Sequence, residues 1–399
     1  MAHSPGACRA WWISRFPMMP SARSCGITPP AHSTLPHECV GDNAMTKKVV
    51  LIPGEDAAPE AFEPTVELMN RLQLDIDWVR PPVGEAGIAA MGNPFPPEAK
   101  EAIDASDATF FGSTNGTSGR AMRYLRWGLQ TYANVRPARW FPGCNSPLKN
   151  PEGIDLVIVR ENMEDTYVGV EGDLEELEPI NFVSRLHRKP VSEMGKGKYA
   201  MKVITEACTQ QVTRFACELA LKRAALNGTR PLVTSGTKHN ISPVADGYFR
   251  EVALETAKEY PDVTFETLLA DDLVHKLVVN PQGFDVILLP NLYGDLFSDA
   301  AGGVVGGLGL APSGCYGRDY AYFESAHGSA PDIAGKNIIN PTATIFSAAM
   351  MLEYLGYAEA GERLIKAVEA AYAQGEHLTP DQGGKASTTE FCAAVEKAL

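Results

Sequence analysis

The sequence predicts an α/β fold with a largely buried sheet, divided into two lobes. Short apolar runs alternate with segments of helical spacing, the pattern of strands covered by helices. The chain has 399 residues, more than one compact core usually serves. Its composition, 45% hydrophobic and 21% charged, is that of a globular enzyme.

The elements follow from Met45 onward. KKVVLIPG (47–54) reads as a buried strand, and PEAFEPTVELMNRLQ (59–73) as a helix with Phe62, Val66, Met69 and Leu72 on one face. DATFFGS (107–113), IDLVIVR (154–160) and FDVILLPN (284–291) are further strands, with TYANV as a shorter one. Residues 201–225, 347–356 and 360–375 have helical spacing. The first strand runs into IPGEDAAPEAF, which lacks G-x-G-x-x-G, so the fold is not of the Rossmann type and any dinucleotide must be held in another way.

Residues 1–44 stand apart as a leader or a mis-called start ahead of Met45, expected to be disordered. They carry Arg9, Arg15 and Arg23 and no acid before Glu38, yet four prolines break any long amphipathic helix. Organellar targeting by this segment stays open. The formal net charge of -14 argues against nucleic acid as a partner, and no apolar run is long enough to span a membrane. The eight cysteines include no C-x-x-C pair, which makes a reducing, cytoplasmic setting the simplest.

Against that acidic background, RAMRYLRWGLQTYANVRPARW (120–140) concentrates five arginines. Steps of three residues turn a helix by roughly 300°, keeping Arg120, Arg123 and Arg126 on one face. Arg136 closes TYANV and Arg160 closes IDLVIVR, at strand ends where α/β ligand sites lie. A solvated basic face is one reading; bidentate binding of carboxylates by Arg126, Arg136 and Arg160 is the other and the better one. In NLYGDLFSDAAGG, Asp295 and Asp299 lie one helical turn apart among small and apolar residues. Their repulsion points to a divalent cation, Mg2+ or Mn2+, with a polar helix face as the alternative. Asp271 is a candidate third ligand. The loop FESAHGSAPDIAGKNIINPTA is rich in small residues and leads into a helix, and Asp332 there suits a ribose diol while repelling a 2′-phosphate. A long surface loop is its plain alternative. Tyr167 and Lys238 make a candidate proton-transfer pair, and either is equally readable as surface.

Together YANVRP, RENMEDTY, NLYGDLFSD and HGSAPDIAGKNIINPTA make the chain, from about residue 47 to its end, resemble the β-decarboxylating dehydrogenases: isocitrate, homoisocitrate and 3-isopropylmalate dehydrogenases. The 24-residue gap from Asp271 to Asp295 and the eight-residue gap from Asp332 to Asn340 fit that family as well. The resemblance implies an isopropylmalate dehydrogenase-like three-layer fold with a large mixed sheet and two lobes around a central cleft. Residues 45–131 with 306–399 would form the large cofactor-binding lobe, and 132–305 the small lobe with the dimer interface. Arg126, Arg136 and Arg160 would clamp substrate carboxylates beside Asn240, and Asp271, Asp295 and Asp299 would hold Mg2+ or Mn2+. Glu324, His327, Gly328, Ser329, Ala330, Asp332 and Asn340 would bind NAD. Lys238 and Asp271 would reach across from a neighbouring subunit, which implies a homodimer or a higher oligomer. The implied reaction is oxidation of a 2-hydroxy acid followed by loss of carbon dioxide, with Lys238 as base and Tyr167 as proton donor.

Substrate choice falls to residues 119–123. The serine and asparagine common in isocitrate enzymes are Arg120 and Met122 here. The glutamate and leucine pair of isopropylmalate enzymes are Gly119, Met122 and Arg123. An alkyl substituent would strand the Arg123 charge, so the expected substrate is a hydroxy tricarboxylate, isocitrate or homoisocitrate, of tricarboxylic acid metabolism. Isopropylmalate, D-malate and tartrate remain alternatives. A non-catalytic regulatory subunit or a scaffold should lack the tyrosine, the lysine or a metal aspartate, and all are present. Two departures stand out. GEDAAPE replaces a loop close to GDGIGPE, and TKHNISP replaces an HKANIMK-like segment, with Pro243 at a place that favours a helix former.

Overall fold

The computed structural model describes residues 46–399, so the expectations for residues 1–44 lie outside the described residues. Twelve strands form among the described residues. They are β1 (Lys47–Ile52), β2 (Ile76–Val79), β3 (Ala108–Phe111), β4 (Ala133–Arg139), β5 (Asp155–Glu161) and β6 (Glu171–Asp173). Then come β7 (Lys198–Ala200), β8 (Leu232–Thr237), β9 (Thr264–Leu269), β10 (Val286–Leu289), β11 (Pro312–Tyr316) and β12 (Ala321–Ser325). Ten of them make one sheet in the order β2-β1-β3-β12-β11-β4-β5-β10-β8-β9, and β6 and β7 pair separately. The pairs around β11 and β4 are antiparallel, and those farther out are parallel, so the sheet is mixed as the resemblance implies.

The predicted helices appear at Ala58–Arg71, Glu206–Asn227, Thr342–Tyr354 and Ala358–Gln374. The long one starts at Glu206 rather than residue 201. Thr205 caps it by accepting from the Cys208 amide, and Val203 is held in a bridge with Asp165.

Side chains of successive strand residues point to opposite faces, and the core divides accordingly. Val49, Leu51, Phe110, Val135, Val157, Val159, Val286, Leu288 and Phe323 join one unbroken apolar layer. On the other face the core is split. Ala138, Leu156, Ile158, Ile287 and Leu289 belong to one cluster, while Val50, Ile52, Phe111, Cys315 and Tyr322 belong to another. By the same alternation Asn134, Arg136, Arg160, Ser313 and Glu324 fall on that second face, between the two clusters. A polar gap therefore opens at the middle of the sheet.

Among the described residues, no helix is long and apolar enough to cross a membrane.

Candidate active site

Three arginines reach the gap by different routes. Arg160 is the penultimate residue of β5 and is paired in register with Asn134. Arg136 does not end its strand, contrary to the reading from sequence: β4 runs on to Arg139. Pro137 is tolerated because β11 pairs with β4 only from Ala133 to Val135, so the missing amide falls beyond that partner's register. The expectation of a single basic helix face also fails. The helix Gly119–Arg123 continues as a π-turn, Tyr124–Gly128, in which the Leu129 amide reaches back to the Tyr124 carbonyl. The wider turn places Arg126 in the interior, whereas Arg120 and Arg123 stay exposed. Arg139, at the end of β4, pairs with Glu369 at 3.0 Å.

The hub of the gap is Asp295, on the helix Asn291–Val305 that follows β10. Its carboxylate is bound by Arg160 Nη1, by Arg136 Nη1 at 3.0 Å and by Tyr167 Oη at 2.5 Å. Asp299, one turn on, lies 3.6 Å from the same Arg136 nitrogen. The helix approaches β5 this closely because residue 294 is glycine: a Cβ there would stand 2.6 Å from Arg160 Cβ and Cγ. Tyr167 stacks against two of the guanidiniums, with Arg126 and Arg160 at 5.0 and 4.8 Å from its ring centre. The tyrosine is delivered by a strained turn. Asp165 adopts φ 69°, and its buried carboxylate accepts from the Thr166 and Leu292 amides at 2.8 and 3.1 Å.

The charges are unevenly balanced. Burial, then repulsion from Arg136 and Arg126, pushes Arg160 down to about 10, still cationic at neutral pH. Burial pushes Asp295 the other way, but Arg160 and Arg136 outweigh it and hold the carboxyl below its ordinary value. Burial raises Asp299, and Arg136 only partly offsets it. Burial and the bond to Asp295 raise Tyr167, which keeps its proton. Arg136 Nε is buried and, among the described residues, has no hydrogen-bond partner.

Asp271 is not part of this cluster. Among the described residues, no group of three His, Cys, Asp or Glu side chains is placed to hold a metal. Asp271 instead pairs with Lys238 at 2.6 Å, its side chain 64% exposed. Hard carboxylate oxygens one turn apart suit Mg2+ or Mn2+, so Asp295 and Asp299 fit part of a cation site, to which the described residues add no third acidic ligand. Pro243 has the effect its position suggests. The segment after β8 runs as turns, leaving Asn240 exposed, and the helix begins only at Ala245. The fully buried Asp246 steadies this segment by accepting from the Lys238 amide at 2.8 Å and Tyr293 Oη at 2.9 Å, with Lys202 at 2.5 Å.

The loop after β12 borders a cavity of about 390 Å³ whose lining includes His327, Ala330, Ile333, Ile339 and Asn340. Burial lowers the His327 pKa and favours the neutral ring, and its buried Nε2 has no hydrogen-bond partner among the described residues. An apolar slot with one unsatisfied ring nitrogen fits a flat heteroaromatic base. Ala330 takes φ 52°, and Asp332 sits exposed on the short turn Pro331–Ile333 that follows. Ser329 is buried and Gly328 exposed, while Glu324 lies partly buried on the sheet face shared with the arginines. The altered GEDAAPE loop is braced against this region. The buried Glu55 carboxylate accepts from Thr114 Oγ1 at 2.7 Å and the Ser118 amide at 3.1 Å. Asp56, at φ 55°, accepts from Ser329 Oγ at 2.6 Å.

Sequence reasoning missed Asn291, Asn162, Asp165 and Asp246. All are fully buried polar residues; the only signal for Asn291, Asn162 and Asp165 was position inside the quoted motifs, and Asp246 had none.

The family described as isocitrate/isopropylmalate dehydrogenase matches residues 48–395. The 3-isopropylmalate/3-methylmalate dehydrogenase of Methanocaldococcus jannaschii is 38% identical over 352 residues, 88% of this chain and 98% of that protein. The isocitrate/homoisocitrate dehydrogenase of Thermus thermophilus is 38% identical over 361 residues, covering 89% and 99%. A solved structure, the isocitrate dehydrogenase from Methylococcus capsulatus, aligns with a TM-score of 0.76 at 33% identity over 88% of this chain and 99% of that one. With this extent of match, and with the mixed sheet and polar gap described above, the chain belongs to the isocitrate/isopropylmalate dehydrogenase family of β-decarboxylating dehydrogenases.

Proposed function

We propose that the chain is an NAD-dependent oxidative decarboxylase of a 2-hydroxy tricarboxylate, isocitrate or homoisocitrate, requiring Mg2+ or Mn2+. The observation that carries this reading is the arginine cluster with a buried, unpartnered Arg136 Nε, together with an exposed Arg123 one turn ahead of Arg126. Arg136 and Arg160 share Asp295 while Arg126 donates to the neutral Asn162 carbonyl and Asn291 amide, which leaves positive charge for an anionic substrate. An added carboxylate on the substrate gives Arg123 a partner, whereas an alkyl group strands it.

Members of the family use NAD(P) and a divalent metal. When bound, the dinucleotide supplies the hydride acceptor and the cation the Lewis acid. The chain's own residues do the rest. Arg126, Arg136 and Arg160 bind and orient the carboxylates. Asp295 and Asp299 of one copy, with Asp271 of another, would hold the cation. Lys238 Nζ, on Asp271 Oδ1, is assigned the hydroxyl proton, relayed through an aspartate. Tyr167 Oη is assigned the proton that goes to carbon once carbon dioxide has left; within the chain that hydroxyl donates to Asp295 Oδ2 at 2.5 Å. His327, Gly328, Ser329, Ala330 and Asn340 would seat the adenosine, and Glu324 would face the nicotinamide end. Asp332 would select NAD over NADP by repelling a 2′-phosphate.

Shared sites require a dimer, and exposed apolar residues support one. Ile241 and Val244 flank the Lys238 segment, Val279 ends the helix of Asp271, and Phe182 and Leu186 project between β6 and β7. The lobe division at residues 131 and 305 is supported by the strand order, since β4 to β10 are flanked in sequence by the strands of the other half. Five free cysteines among the described residues fit a reducing, cytoplasmic setting.

A panel assay tests the reading: NADH formation by the full chain with Mg2+, against isocitrate, homoisocitrate, isopropylmalate, D-malate and tartrate. Turnover of a tricarboxylate is expected, and its absence overturns the substrate assignment. The equal identity to a 3-isopropylmalate/3-methylmalate enzyme keeps an alkylmalate as the second reading. Arg123→Leu should move the preference toward alkyl substrates, and Asp332→Lys toward NADP.

A further inference from the structure

We infer that Asn291 is the positioning residue of the arginine clamp, fixing the spacing and direction of Arg126 and Arg160. The inference rests on the functional reading above. Asn291 is the first residue of the Asp295 helix and is completely buried. Its single Oδ1 accepts from Arg126 Nη2 at 3.0 Å and from Arg160 Nε at 2.9 Å. Its Nδ2 donates to the Glu164 carbonyl at 3.1 Å, on the turn that delivers Tyr167, so the amide cannot rotate without losing all three bonds.

Two guanidiniums from separate elements repel each other, and the amide joins them without cancelling their charge. A carboxylate at the same place would bridge them equally well but would neutralise one, weakening the clamp toward its substrate. An amide oxygen has two lone pairs and no net charge, which meets both requirements. The remaining anchors agree with this division. Arg126 Nε donates to the Asn162 carbonyl at 2.7 Å, and Arg160 Nη1 binds Asp295. The geometry thus assigns Arg126 Nη1 and Arg160 Nη2 to the substrate carboxylate.

The test compares Asn291→Leu, which keeps the shape and loses the bonds, with Asn291→Asp, which keeps the acceptor and adds charge. Both are assayed as full chains against the tricarboxylate that wild type oxidises, with NAD affinity read separately by fluorescence quenching. Asn291→Leu should raise the KM for the hydroxy acid by at least about tenfold, the size of one hydrogen bond to a charged group, with NAD affinity unchanged. Asn291→Asp should raise the same KM and flatten its dependence on ionic strength, because a net positive charge has been removed. An unchanged hydroxy-acid KM in either variant overturns the inference, as does a parallel loss of NAD affinity, which marks a merely structural role. Should Asn291→Leu not fold, the isosteric Asn291→Asp decides alone. Wild type that oxidises no hydroxy acid overturns the functional reading and this inference with it; an active wild type with unaffected variants overturns this inference only.

Discussion

Arg160 and Asp271 stand at opposite extremes of one candidate site. The Arg160 side chain is 2% exposed and tied to Asp295 and Asn291, whereas Asp271 is 64% exposed and bonded to Lys238. One half of the chemistry is built into the chain's interior, and the other half is displayed on its surface. Interior groups can be held by neighbours packed during folding. Surface groups with a single partner acquire their working surroundings only when another body arrives, which in the function proposed above is a second copy.

The largest test of the contrast is Arg160→Ala. It removes the group on which Asp295, Asn291 and Tyr167 converge, and kcat/KM should fall by about a thousandfold, roughly 4 kcal/mol. A loss below tenfold would mean that the built half is not the clamp. Next is Lys238→Met, expected to lower kcat by about a hundredfold or more through lost proton transfer. Mixing it with Arg160→Ala sharpens the comparison. If Lys238 serves the partner's site, exchanged dimers carry one intact site, and activity should return to about a quarter of wild type. No recovery after subunit exchange would place both groups in one chain's own site.

The built half should also show its cost in stability. Glu161, beside Arg160, is buried, and that burial pushes its carboxyl up to about 7, with the Met163 and Glu164 amides only partly offsetting it. A raised folded pKa favours the fold below the unfolded value near 4.5 and is lost as pH rises through about 7, on the order of 3 kcal/mol. Unfolding free energy should therefore fall over that window, and less steeply in Glu161→Gln; equal slopes would refute the assignment. The smallest expected effect is Gly294→Ala. It sets a methyl 2.6 Å from Arg160 carbons. Unfolding should come earlier by about 1–3 kcal/mol, read by thermal melting.

Much of this was legible in the chain. β1, β3, β5 and β10 are short apolar runs rich in β-branched and aromatic residues, and they appeared where expected. β8 (LVTSGT) and β11 (PSGCY) were not read, because buried hydroxyls, glycine and proline erase the apolar signal that marks a central strand. Arg126, Arg136, Arg160, Tyr167, Asp295 and Asp299 do come together. The means of assembly were hidden: a π-turn is not coded by helical spacing, and a buried asparagine looks like any loop polar residue until its partners are known. Tyr167 and Lys238 were read as a proton-transfer pair, but the fold gives them different partners: Tyr167 bonds to Asp295, and Lys238 bonds to Asp271.

The π-turn at Tyr124–Gly128 sets a rule about length as well as shape. Most exposed connections tolerate gain or loss of a residue, since the ends stay in place. Here the loss of one residue would restore ordinary α-helical pairing and swing everything beyond it by about 100°. Arg126 would then leave the interior, and Trp127, which donates to the Met163 carbonyl at 3.0 Å, would lose its seat. Apart from Arg126 and from Gly128, where a Cβ would stand 2.5 Å from the Tyr124 ring, single substitutions leave this register in place, but a single-codon deletion does not. Its residue count should therefore be held more strictly than its residue identities.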